Sequence, residues 1–321
     1  MSKQKTDKPI DAAFRAARNN EVWSEAAYSG ALSAFRRRYT RDLKNVDAVL
    51  WGVPFDLATS YRPGTRFGPQ AIRRISAMWE PADAAWPYDF SPFEKMSIID
   101  YGDAAFDFTK SETAFNDIVR QASKILESGA SLYSMGGDHS ISHPLLRAHA
   151  EKYGKLAFIH FDAHPDTWSN TEKDLYHGNF VSFADEDGLI DPKASIQIGI
   201  RTVAPNPHKI EQISADECFR LGVDKVAAKI KKRIGKRKAY LSFDIDTLDP
   251  AYAPGTGTPV PGGLSTREAY MILRGLEGID IVGADIVEVS PAYDHADLAA
   301  NAAAGVLQQL LCLQALRMKK R

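Results

Sequence analysis

Short apolar runs, parted by stretches with helical spacing, leave this chain few architectures. The runs are "AVLWGVP" from Ala48, "MSIIDYGD" from Met96, "SLYSMGGD", "KLAFIHFD", "ASIQIGIR", "KAYLSFDID" and "DIVGADIVEVS". Apolar residues follow one another in most of them, so both faces of each strand need cover; that is the pattern of a parallel sheet flanked by helices. Helical stretches lie between: "GPQAIRRISAMW" from Gly68, a long segment over about Lys110 to Ser128, and "AYMILRGLEG". Thr109 and Glu112 form a predicted capping box for the second, with Phe115, Ile118, Val119, Ile125 and Leu126 at periodic positions. The C-terminal segment, with Val306, Leu307, Leu310, Leu311 and Leu313 ahead of "MKKR", is expected to be an amphipathic helix. No linker or repeat interrupts the pattern. One α/β domain over 46–321 is expected, behind an N-terminal extension over 1–45, helical and interface-forming, whose apolar Phe14, Val22, Trp23, Tyr28, Leu32 and Phe35 are loosely periodic. The Arg36–Arg38 run reads as a solvated or interface face.

The chain is long enough, at 321 residues and 44% hydrophobic, for a large single core. Its 40 basic and 41 acidic residues leave a net charge of -1, so no global field favours nucleic acid or an anionic membrane, and a small ligand is the expected partner. Cys218 and Cys312 are far apart and support neither a disulfide framework nor a thiolate metal site. No signal-like N-terminus and no apolar run near the roughly 18 residues of a membrane span are found, so a soluble cytoplasmic protein is expected.

Unusual polar residues sit where these strands end. "GGDHS" places Asp138 and His139 after one strand, with Gly136 and Gly137 expected to let the backbone turn. "FDAHPDTW" adds Asp162, His164 and Asp166, "FDID" adds Asp244 and Asp246, and "DIVEVS" adds Glu288. In parallel α/β sheets such ends converge over one edge. At period two, Asp162, His164 and Asp166 are expected to point one way, as are Asp244 and Asp246. Asp162, Asp166, Asp244, Asp246 and Glu288, with the imidazoles of His139 and His164, cannot share a small volume ionised without cations. Oxygen and nitrogen donors without thiolates suit manganese or a similar divalent ion. His143, His149, His208 and His295 read as ordinary packed or surface residues, and His160 as a packed neighbour of the site.

These motifs, together with "GVPFDLATSYRPGTRFGPQAIR", "QIGIR" and "SFDIDTLDPAYAPGTGTPVPGG", resemble the ureohydrolase family of arginases and agmatinases, in particular its agmatinase branch, over about 46–316. The resemblance implies a three-layer α/β/α sandwich with a mainly parallel central sheet, assembled as a homo-oligomer, trimer or hexamer. It also implies two divalent metal ions, Mn2+ or alternatively Ni2+: one held by His139 and Asp166, the other by His164 and Asp246, with Asp162 and Asp244 bridging. His177 matches a proton-transferring histidine, Glu288 the carboxylate that holds a guanidinium, and Asp166 is placed to relay a proton to the leaving nitrogen. The implied reaction cleaves a guanidino compound to urea and an amine. The loop "SNTEKDLYHGNF" differs from the arginase version, which discounts arginine. At Gly178, Asn179 and Phe180 it also departs from the agmatinase "HGTMF", and "YDHADLAANAAA" lacks a threonine common there. Guanidinobutyrate, another guanidino acid or a small alkylguanidine therefore stand as alternatives to agmatine, with Glu172, Asp174 or Asp185 as candidate partners for a distal ammonium. A non-catalytic subunit of a ureohydrolase assembly is the alternative from another class.

Overall fold

Nine parallel strands form one sheet in the computed structural model, which describes residues 26–79, 84–107, 110, 113–168, 174–205 and 207–318. They are β1 Arg38–Tyr39, β2 Ala48–Val53, β3 Ile98–Asp103, β4 Ser131–Gly136, β5 Ala157–Phe161, β6 Ile196–Ile200, β7 Glu211–Ser214, β8 Lys238–Asp244 and β9 Asp280–Val287. Their order is β1-β3-β2-β4-β9-β8-β5-β6-β7. The two edge strands, β1 and β7, are short and polar, and that is why apolar patterning did not reveal them.

Helices cover both faces, as the continuous apolar strands require. They are α1 Gly68–Ser76, α2 Ala114–Glu127, α3 Ser142–Tyr153, α4 Phe180–Glu186, α5 Ala215–Leu221, α6 Val223–Ile234, α7 Thr266–Gly275 and α8 Leu298–Arg317. Alternate residues of one strand serve opposite layers. Val49, Trp51 and Val53 belong to the core cluster that holds Ile118 and Ile125 of α2 and Leu145 of α3, whereas Leu50 belongs to the cluster on the other face, which holds residues of α1, α6, α7 and α8. Each large side chain so buried contributes roughly 1.5–3 kcal/mol.

Several sequence expectations are corrected. Helix α2 starts at Ala114 under Thr113, which makes no side-chain cap, and the expected box of Thr109 and Glu112 lies outside the described residues. A capping box is present instead at α7, where Ser265 and Glu268 cap each other. Helix α8 is not amphipathic: Ala299 to Ala315 are buried nearly all round, because α8 lies inside the layer formed with α1 and α7. It is long and apolar enough to cross a membrane, but 83% of its apolar window is buried within the fold.

Phe14, Val22 and Trp23 lie outside the described residues. Phe35, by contrast, is fully buried in the core, and β1 pairs with β3. Arg36 and Arg37 are buried rather than solvated: Arg36 donates to the carbonyls of Ala26 and Ser29, and Arg37 lies over the Phe93 ring.

Gly137 is needed for close approach rather than for a positive φ. A Cβ there would lie 2.1 Å from the Phe55 carbonyl oxygen. Gly137→Ala should therefore destabilise the fold by about 1–3 kcal/mol or more, through backbone overpacking. A thermal melt checks this, and an unchanged midpoint would refute the packing role.

Candidate metal centre

Strands β4, β9, β8 and β5 are neighbours at the middle of the sheet, and their carboxyl ends bring the predicted residues together. His139 follows β4, Glu288 follows β9, Asp244 ends β8 and Asp162 follows β5. The Nδ1 of His139 lies 3.0 Å from Asp162 Oδ2, 3.1 Å from Asp166 Oδ2 and 3.1 Å from Asp244 Oδ2. On the other side, His164 Nδ1 lies 3.0 Å from Asp246 Oδ2 and 3.3 Å from Asp162 Oδ1. The two oxygens of Asp162 thus serve both halves.

Turns, not strand alternation, make these side chains converge, because β5 ends at Phe161 and β8 at Asp244, before the other ligands of each motif. β5 ends at Phe161, and Asp162 then accepts the His164 N–H at 2.6 Å. Asp166 is held at φ 52°, a left-handed conformation sparse for residues with a Cβ and frequent at functional sites. Asp244 caps the 3₁₀ turn Ile245–Thr247 by accepting the Asp246 N–H at 2.7 Å. Glu288 is likewise left-handed, at φ 63°. Arg201 of the "QIGIR" motif donates to the carbonyls of Asp246 and Val260, tying down the loop after β8.

A hydrogen-bond chain fixes the tautomer of His139. Asp285 on β9 accepts the Ser242 hydroxyl at 2.5 Å, as well as those of Ser142 and Tyr240. Ser242 Oγ must then accept from His139 Nε2, 2.8 Å away. That leaves the lone pair of Nδ1, buried and without a hydrogen-bond partner, among three carboxylate oxygens. Such an arrangement is favourable with a proton on Nδ1, which the three carboxylates promote, or with a metal cation bound there. Burial, reinforced by the Asp162 charge, pushes Asp166 up to about 7, and burial with the charges of Asp246 and Asp162 pushes Asp244 well above the carboxylate range. The donor set therefore fits divalent metal ions of the manganese kind, with oxygen and imidazole ligands and no thiolate. Asp285→Asn should weaken metal affinity about 10- to 100-fold, the usual effect of removing a group that orients a ligand. Titration of the chelated protein with Mn2+ would show it, and unchanged affinity would deny the chain a role.

His160 stands in the same cluster but has both ring nitrogens engaged: Nε2 with Asp162 Oδ2 at 2.8 Å and Nδ1 with Gln197 Nε2 at 2.9 Å. Gln197 in turn accepts from Gln212. This buried relay orients Asp162, and the sequence reading missed the two glutamines; their only signal is polarity within the β6 and β7 runs. Asp138 braces a neighbouring loop by accepting the Ala58 N–H at 3.0 Å.

His177 reaches Glu288 Oε1 through Nδ1 at 3.1 Å, and its Nε2 meets Ser60 Oγ at 2.7 Å and the Ser60 N–H at 2.9 Å. Burial opposes its charge, but the Glu288 carboxylate prevails and raises its pKa to about 9. The second oxygen of Glu288 is buried without a partner. A cavity of about 440 Å3 opens over His139, His164, Asp166, His177 and Asp244.

Of the carboxylates considered for a distal ammonium, Asp185 is paired with His208 at 2.7 Å and Glu172 lies outside the described residues. Asn179 does not line the cavity; it braces the loop by accepting the Tyr176 N–H at 2.8 Å and donating to the Asp174 carbonyl at 2.9 Å. His143 pairs with Asp187, and His149 bonds the Leu145 carbonyl.

An α/β/α sandwich with this constellation at its central strand ends defines a metal-dependent hydrolase acting on guanidino C–N bonds. The chain belongs to the arginase family, which it matches over residues 46–312. It is similar to an agmatinase of Chromobacterium violaceum, 48% identical over 92% of both chains, and to one of Photorhabdus laumondii, 46% identical over 83% of this chain and 87% of that one. A hypothetical agmatinase from Burkholderia thailandensis has the same fold with a TM-score of 0.90, at 48% identity over 95% of this chain and 98% of that one. Proclavaminate amidino hydrolase from Streptomyces clavuligerus gives 0.85 at 37% identity, over 92% of this chain and 100% of that one.

Proposed function

We propose that this chain hydrolyses agmatine to urea and putrescine, as a cytoplasmic homo-oligomer that holds two manganese ions. His139, Asp162, Asp166 and Asp244 would hold one ion, and His164, Asp246 and Asp162 the other, with Asp244 as a second bridge. Two orphaned buried atoms carry the reading: His139 Nδ1, which needs a cation, and Glu288 Oε2, which needs a donor. A metal ion and a guanidinium group supply them.

Guanidinium carbon is a poor electrophile and neutral water a poor nucleophile. A pair of divalent ions, held by these residues, would lower the pKa of bound water and so supply the nucleophile near neutral pH. Glu288 orients the guanidinium by accepting a charge-assisted bond at Oε2, while its Oε1 stays anchored by the His139 N–H at 2.9 Å. Cleavage of the C–N bond requires a proton on the leaving nitrogen, and Asp166 and His177 are the groups to deliver it. His177 keeps a partner in either state: charged, it donates to Ser60 Oγ, and neutral, it accepts the Ser60 N–H. Relatives named agmatinase support agmatine as the substrate. The test is urea release by manganese- or nickel-loaded protein with agmatine, guanidinobutyrate, guanidinopropionate, arginine and guanidine. Strong preference for agmatine is expected; preference for another compound, or silence with metal bound, would overturn the proposal.

A further inference from the structure

The wall of the cavity above the metal centre has a composition that the reaction chemistry does not require. Apart from His139, His164, Asp166, His177 and Asp244, the described residues that line it are Ser60, Trp168, Tyr176, Gly178, Thr202 and Thr258, none of them charged. We propose that Trp168 and Tyr176 form an aromatic wall that reads the substrate's tail and selects alkylguanidines ending in a cation over guanidino acids. This rests on the hydrolase reading above.

Three observations support it. The two rings flank the histidines at the floor: Trp168 lies 6.0 Å from the His164 ring and Tyr176 lies 5.8 Å from that of His177. Their backbones are tied together through Gly178, whose carbonyl accepts the Trp168 N–H at 3.0 Å. Gly178 also makes room for the tyrosine, since a Cβ there would lie 2.8 Å from Tyr176 Cε2 and 3.1 Å from its hydroxyl oxygen. Asn179 accepts the Tyr176 N–H at 2.8 Å, which holds the backbone that carries the ring.

Electrostatics then sets the preferred tail. Asp162, Asp166, Asp244, Asp246 and Glu288 face two divalent ions and His177, which is paired with Glu288, so the floor offers no net positive charge to hold an anionic tail. No described lining residue is a lysine or arginine, and His177, its pKa raised, is already paired with Glu288 at 3.1 Å, so none is free to hold a carboxylate tail. Aromatic faces attract a terminal ammonium without demanding a carboxylate partner, and they accept the alkyl spacer as apolar surface.

The test measures kcat/KM by urea release from the metal-loaded enzyme with agmatine, with pentylguanidine as its isostere with an uncharged tail, and with guanidinobutyrate. The wild type should rank agmatine first and guanidinobutyrate last. Tyr176→Leu and Trp168→Leu should each lower the agmatine to pentylguanidine ratio about tenfold, the equivalent of about 1.4 kcal/mol. Tyr176→Phe, which keeps the ring, should preserve the ratio. An unchanged ratio in both leucine variants, or a ratio lost only in Glu172→Gln, would overturn the aromatic assignment while leaving the hydrolase reading intact. Inactivity of the metal-loaded wild type towards all three compounds would overturn both.

Discussion

Asp162→Asn should abolish turnover, with kcat/KM lower by at least about 10³-fold, and should leave the protein with less metal than it needs for catalysis. The reason is geometric. Asp162 is the one carboxylate whose two oxygens meet both imidazoles, Oδ2 at 3.0 Å from His139 Nδ1 and Oδ1 at 3.3 Å from His164 Nδ1. Asparagine keeps the shape but removes the charge, and one oxygen becomes an amide that can only donate. With both ions held, the site would lower the pKa of bound water towards neutrality, so a variant that cannot hold both would lose its nucleophile. Metal analysis alongside urea assays checks the prediction; normal activity with a single metal per chain would refute it. Asp244→Asn should act in the same direction.

Glu288→Gln should lower kcat/KM by about 10²- to 10³-fold, chiefly through a raised KM, while metal content stays at the wild-type value. Removing one member of a buried, hydrogen-bonded charge pair costs roughly 2–5 kcal/mol. In the proposed reaction the missing charge would be the partner of the guanidinium, since Oε2 has no protein donor among the described residues. The glutamine oxygen can still accept the N–H of His139, so the backbone beside the metal ligand keeps its bond. Loss of metal in this variant would show that Glu288 supports the metal centre instead.

Much of this architecture was legible because its determinants are local. Apolar runs such as "KLAFIHFD" and "KAYLSFD" must be buried on both faces, and a polar cluster directly after such a run has to emerge at the strand's carboxyl end. The gathering of His139, Asp162, His164, Asp166, Asp244, Asp246 and Glu288 over one sheet edge follows from that rule alone. The way they converge was not legible, because it rests on turns whose bonds skip two residues, Asp162 to the His164 N–H and Asp244 to the Asp246 N–H. Supporting groups were missed for another reason. Asp285 and Gln197 act through partners 43 and 37 residues away, and only their polarity within apolar strands marked them. Arg36 and Arg37 were misread as solvated because the carbonyls and the aromatic ring that accept them come from the tertiary fold. Helix α8 was misread because leucines at helical spacing drew attention from the alanines and glutamines that are buried with them.

The account depends most on the two halves of the cluster acting as one dinuclear site. Chelated protein titrated with Mn2+, with bound metal and urea release from agmatine followed together, tests this directly. Activity should stay low through the first equivalent, rise with the second, and saturate at two ions per chain. Full activity at one equivalent, or two ions bound without hydrolysis of any guanidino compound, would contradict it.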